Sequence, residues 1–163
     1  MTTRSQIRTV TTSITRPSNT DQYTANDAWA NSTSAPTTGG FTFSEAANKL
    51  GGGGLITDAI ITSSADPGTT LQGEIWIFDS AVTAVNDADP LVVSDTEIKT
   101  LVGIIPFTLA DAGANSAKHV QGLNFGFNIP GTTANLRFLV KVINTYTPAS
   151  AEVLTVRLKI RCD

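Results

Sequence analysis

"AEVLTVRLKIRCD", residues 151–163, decides the fold class. Leu154, Val156, Leu158 and Ile160 fall on one side of an extended chain, and Thr155, Arg157, Lys159 and Arg161 on the other. A period of two is the pattern of a strand with one face in a core and one in water. "NLRFLVKVINTY", residues 135–146, repeats it, with Leu136, Phe138, Val140 and Val142 opposing Arg137 and Lys141. Both segments predict strands with a basic outer face.

Upstream, "SQIRTVTTSITRPS", residues 5–18, reads as a Thr-rich strand stopped by Pro17, with Val10 and Ile14 on one face and Ile7 on the other. Residues 1–20 are either an edge strand or an extended N-terminal arm. "LITDAIITSS", residues 55–64, places Leu55, Thr57, Ala59 and Ile61 on one side and Ile56, Asp58, Ile60 and Thr62 on the other. "LQGEIWIFDS", residues 71–80, sets Trp76 and Phe78 opposite Ile75 and Ile77. Apolar residues on both faces fit a strand inside a sandwich or a subunit contact, which makes Leu55, Ile56, Ile60, Ile61, Trp76 and Phe78 the candidate subunit interface. "SDTEIKTL" is the one short helix expected, near residues 94–101, because Ser94 and Glu97 have capping-box spacing. About nine or ten strands separated by turn residues predict an all-β fold, an antiparallel β-sandwich or jelly roll.

A chain of 163 residues can bury one core, and no shift in composition divides it, so a single domain over 1–163 is expected. Charged residues are 15%, against roughly 25% in soluble domains. Abundant threonine supplies neutral polar surface instead, and its β-branch favours strands. A net charge of −3 argues against nucleic acid as a direct partner. No apolar run is long enough for a membrane helix, and the polar first residues lack a secretory core, so synthesis in a cytoplasm is expected. One cysteine, Cys162, excludes an intrachain disulfide framework.

The motifs that could carry chemistry are weak. The glycines at 51–54 precede a strand, and Lys49 lies before them, so they lack the layout of a phosphate loop. His119 is the only histidine and no G-x-S-x-G elbow accompanies it. Asp79, Asp87 and Asp89 lack the spacing of a calcium loop. Glu74 and Glu152 would serve as glycosidase acids only if folding paired them. The reading is therefore non-enzymatic, with no cofactor and no metal. The strongest charge feature is the basic set Arg157, Lys159 and Arg161, with Arg137 and Lys141, joined by Arg4, Arg8 and Arg16 near the start. It is either a solvated face or a contact for an acidic partner. Trp29, Trp76 and Tyr146 are candidate sugar platforms or core residues.

Four segments carry a resemblance: "SITRPSNTDQYTANDAW", "GGGGLITDAIITSS", "GEIWIFDSAVTAVNDADPLVVSDTEIKTLVGIIPF" and "AEVLTVRLKIRCD". Together they resemble a family of small bacteriophage proteins encoded among virion structural genes, over nearly the whole chain. The resemblance implies a phage particle component, a capsid decoration or cement protein with a jelly-roll-like fold. Implied with it are the major capsid protein as partner, a location on the capsid surface, and a homo-oligomer, a trimer at the local threefold positions of a shell. The family's motifs name no catalytic residue. The alternative is a tail or fibre component that binds host-surface carbohydrate, and a glycan hydrolase built on His119 or Glu74 stands behind it.

Overall fold

The computed structural model describes residues 6–66 and 68–162. Ten strands follow in order: β1 (Gln6–Thr15), β2 (Phe41–Phe43), β3 (Gly53–Ser63), β4 (Gln72–Phe78), β5 (Leu101–Thr108), β6 (Ala110–Asp111), β7 (Ser116–Val120), β8 (Phe125–Asn128), β9 (Leu136–Val142) and β10 (Val153–Cys162). The pairings are nested and antiparallel: β1 with β10, β2 with β9, β3 with β7 and β8, β4 with β5. Two further pairings, β3 with β10 and β4 with β9, join these hairpins into two sheets. One has six strands in the order β1-β10-β3-β7-β6, with β8 also on β3; the other runs β2-β9-β4-β5. A long antiparallel ribbon rolled on itself in this way is a jelly roll, as the alternating segments led us to expect.

The core lies between the sheets. Ile56, Ile61, Leu154, Val156, Leu158 and Ile160 enter it from one side, and Phe43, Ile75, Ile77, Ile105, Leu136 and Phe138 from the other. Phe43 stacks on Phe138 with ring centroids 4.3 Å apart. At the edge where β1 nears β2 the sheets are tied through side chains. Thr12 Oγ1 donates to the Thr42 carbonyl at 2.6 Å, and Arg8 Nη1 donates to the Glu45 carbonyl at 2.6 Å.

Strict alternation fails in β3, and the reason is a bulge. Lys159 pairs with Asp58 but Ile160 pairs with Ile56, so Thr57 has no opposite residue on β10. One extra residue reverses the side-chain phase. Ile56, Ala59 and Ile61 are consequently buried, while Leu55, Asp58 and Ile60 turn outward. The bulge also splits the neighbouring strand: β7 pairs with β3 from Ala59 onward, β8 pairs with it up to Ile56, and between them the Leu123 N–H donates to the Thr57 carbonyl at 2.9 Å.

The connection at 79–100 folds over the outer side of the four-stranded sheet. There Phe78, Val82 and Leu139 form a second apolar cluster with Trp76, Leu91, Val93 and Leu101. The helix expected near 94–101 is a single 3-10 turn, Glu97–Thr100. The box does form: the Ser94 N–H and Oγ donate to Glu97 Oε2 at 2.9 and 2.6 Å. It leads no further because Leu101 turns extended to pair with Phe78. At the glycine tract, Gly51 has φ +67°, where an added Cβ would sit 3.0 Å from the Gly131 Cα, and β3 begins two residues later. The tract is a turn leading into a strand.

Candidate functional site: the outer face of the six-stranded sheet

Alternate residues of β10 point away from the core: Thr155, Arg157, Lys159 and Arg161. Pairing with β1 brings Ser13, Thr11, Thr9 and Ile7 beside them in that order. Pairing with β3 brings Thr62, Ile60, Asp58 and Leu55 to the other side. β7 adds His119 next to Ile60, with Nε2 3.6 Å from Asp58 Oδ1. The result is a row of three cations framed by hydroxyls and aliphatic side chains, with Asp58 and His119 on its β3 and β7 side. Successive members of the row lie about 6.8 Å apart, two residues along a strand. None of the three makes an ion pair among the described residues, and Ile7 at the margin is 79% exposed. Cations without an ion pair among the described residues attract an approaching acidic surface, although Asp58 beside Lys159 offsets part of the field, in a chain whose net charge is −3.

The other cations expected on this surface go elsewhere. Arg137 donates to Thr42 Oγ1 and Lys141 Nζ lies 3.5 Å from Glu74 Oε2, both on the outer side of the opposite sheet. Arg8 reaches across to the Glu45 and Ala47 carbonyls and lies 3.8 Å from Glu45 Oε2. Arg4 lies outside the described residues, as do residues 1–5 of the expected arm.

Arg16 must be removed from the partner-contact set, because it is buried. Its Nη2 lies 3.2 Å from Asp87 Oδ2, with both side chains fully enclosed, and its Nε donates to Tyr23 Oη at 3.1 Å. The Tyr23 hydroxyl donates to Asp87 Oδ1 at 2.6 Å, and the Ala30 N–H donates to the same oxygen at 2.8 Å. Next to it, Glu152 accepts from the Tyr146 hydroxyl at 2.8 Å, from Ser63 Oγ and from the Ala149 N–H. Burial, then the adjacent carboxylate, push both phenols above their ordinary value, so they stay protonated. Trp29 stacks on Tyr23 at 5.3 Å and nears Tyr146 at 6.2 Å. This cluster pins the loops at 16–40, 79–100 and 143–152 to one end of the sandwich.

Sequence reasoning missed the cluster, although a signal was present. Arg16 continues the inward phase of Val10 and Ile14, and Glu152 that of Leu154 and Val156; the backbone keeps them paired, Arg16 N–H to Glu152 carbonyl at 3.1 Å.

The expected subunit-interface set also divides. Ile56 and Ile61 are core residues, since the bulge turns them inward, and Phe78 is covered by the 79–100 connection. Leu55 and Ile60 lie on the basic face, and Trp76 is half-buried on the opposite outer face. Trp29 and Tyr146 are core residues, unavailable as sugar platforms. Glu74 and Glu152 are separated by the four-stranded sheet, one outside it and one in the interior. Asp87 is committed to Arg16, Asp79 to Ser80 and Asp89 to Asn86, so the three acids do not converge. Among the described residues no group of three or more His, Cys, Asp or Glu could hold a metal ion.

No protein-family model matches the chain, and no curated protein matches it. Among solved structures, a chain of Desmodium yellow mottle tymovirus is similar over 100% of this chain and 84% of its own, at 12% identity and a TM-score of 0.32. A chain of the native Kashmir bee virus virion at neutral pH is similar over 96% and 70%, at 11% identity and a TM-score of 0.37. A marine algae virus of the order Picornavirales gives 98% and 69%, at 10% identity and a TM-score of 0.27. At these scores the likenesses are loose, and the jelly roll is established by the strand pairing itself.

Proposed function

We propose that this chain is a virion structural protein: a decoration or cement protein that binds the outer surface of a phage capsid shell. One observation carries the reading, the row of Arg157, Lys159 and Arg161 on the outer face of the six-stranded sheet, without an ion pair among the described residues. An acidic surface of the major capsid protein would meet this row directly, with Leu55, Ile60 and the flanking threonines supplying close contact. The resemblance of the sequence to phage virion proteins supports the choice of partner. The buried Arg16–Asp87 and Tyr146–Glu152 pairs support a body stiff enough to transmit load between subunits. Copies meeting in closed symmetry, as a trimer on local threefold positions, would hold several capsid subunits at once, so modest contacts add to strong retention. The chain would be made in the host cytoplasm and carried on the particle surface.

Electron microscopy of purified particles tests this. Density for the chain at lattice positions on the head supports it; density confined to the tail, or none, refutes it. The triple variant R157E/K159Q/R161E should keep its fold, because these side chains point away from the core and Gln opposite Asp58 adds no like charge, and should fail to decorate particles. Normal decoration by that variant would show that another surface makes the contact.

A second reading, a tail component that binds host carbohydrate, has Trp76 in its favour. Its Nε1 donates to Glu74 Oε2 at 2.9 Å and Lys141 Nζ lies 5.6 Å above its ring, an aromatic surface flanked by an acid and an amine. Glycan-array binding that disappears in Trp76→Ala would establish it, and a blank array would remove it.

A further inference from the structure

The open edges of the two sheets are unequal. β6 has two residues, β2 three and β8 four, and β5 carries Pro106, which has no N–H to offer a neighbour. Short strands and prolines are the usual protection of an edge against pairing with another chain. β1 has neither. It is ten residues long, stays in continuous register with β10 from Gln6↔Cys162 to Thr15↔Val153, and has β10 as its one backbone-paired neighbour among the described residues, meeting β2 through the Thr12 side chain only. Its sequence is rich in β-branched residues, and its one charge, Arg8, is engaged by the Glu45 and Ala47 carbonyls and lies 3.8 Å from Glu45 Oε2.

We propose that β1 pairs antiparallel with β1 of a second copy across a twofold axis, joining two six-stranded sheets into one continuous sheet. Self-pairing suits this strand because its outward row, Ile7, Thr9, Thr11, Ser13 and Thr15, is uncharged. The nearest like charges are the basic rows on β10. They stand three strand spacings apart across the axis, about 14 Å, beyond the screening length of about 8 Å at physiological salt. Residues directly opposite each other in an antiparallel pair share a side of the sheet, so the axis must pass through a residue. Centred on Thr11, the pairing sets Thr11 against its own copy; centred on Val10, it sets Thr9 against Thr11. Either register gives Thr–Thr contacts, which favour strand pairing.

The same geometry supplies the test. In the double variant T9E/T11E each new carboxylate gains a cation within its own chain, since Thr9 lies opposite Lys159 and Thr11 opposite Arg157. Across the axis, acid meets acid in either register. Sedimentation equilibrium of the purified chain should show dimers or even multiples, and the variant should associate at least about tenfold more weakly while its circular dichroism and melting temperature are retained. Thr11→Glu alone, with half the perturbation, should weaken association to a lesser degree. A wild-type chain that is monomeric at high micromolar concentration, an association indifferent to both variants, or a monomer that captures only a foreign strand would each overturn the proposal. The decoration reading needs no twofold contact. Because this assay uses the chain without particles, failure of one does not entail failure of the other.

Discussion

Replacing Asp87 by alanine should cost about 4 kcal/mol, a large share of the roughly 5–15 kcal/mol that holds a domain folded. The carboxylate is fully enclosed and accepts from three donors: Arg16 Nη2 at 3.2 Å, the Tyr23 hydroxyl at 2.6 Å and the Ala30 N–H at 2.8 Å. Its loss leaves a guanidinium charge in the interior, and breaking a buried pair from one side costs about 3–5 kcal/mol. The orphaned phenol and amide would add about 1–3 kcal/mol each if nothing relaxed. Asn19 still takes two of the Arg16 hydrogen bonds and holds the total inside the first range. Urea unfolding gives the measurement, as a shift of midpoint at constant slope. Arg16→Met should destabilise as well, and the double variant R16M/D87A should cost about 2 kcal/mol less than the sum, because no buried charge is left without a partner. A cost below about 1 kcal/mol for Asp87→Ala, or strict additivity in the cycle, would refute the buried pair. A melting curve unmoved by Arg16→Met would return Arg16 to the surface.

Both tyrosines of the chain are held protonated by burial and a carboxylate, so absorbance titration near 295 nm should show no ionisation until the fold is lost. The sign follows from the raised folded values: stability is complete below the ordinary phenol value of 10.0 and falls as pH rises above it, because only the unfolded chain releases those protons. Glu97 is the opposite case, held down at about 2 from 4.5 by the Ser94 hydroxyl and then by Thr83. Its tie to the 83–97 segment is complete above 4.5 and is lost as pH falls through about 2, so the Thr83 amide shift in NMR should titrate near 2 and stop titrating in Glu97→Gln. Gly73→Ala would put a Cβ 2.7 Å from both the Lys141 carbonyl oxygen and Phe107 Cζ, costing about 1–3 kcal/mol in thermal unfolding. Gly126→Ala, where a Cβ meets nothing within 4 Å, should be close to neutral.

The sequence by itself determined the layers of this protein. Alternation in 136–142 and 153–162 named the inward and outward residues of β9 and β10 correctly, and with them the basic row, because side-chain direction in a strand depends only on position within its own chain. The capping box at Ser94 and Glu97 was equally local. What needed the tertiary structure were the features set by a partner distant in sequence. Strict alternation puts Ile56 and Ile61 on opposite faces, and the pairing of Lys159 with Asp58 and Ile160 with Ile56 makes the bulge at Thr57 that turns both inward. Arg16 had the phase of Ile14, but a charge is normally kept in water, and only Asp87, 71 residues along the chain, makes its burial tolerable. Whether a strand edge is paired is likewise a property of neighbours. Alternation made β1 a strand, and the order β1-β10-β3-β7-β6 left its backbone paired on one side only among the described residues.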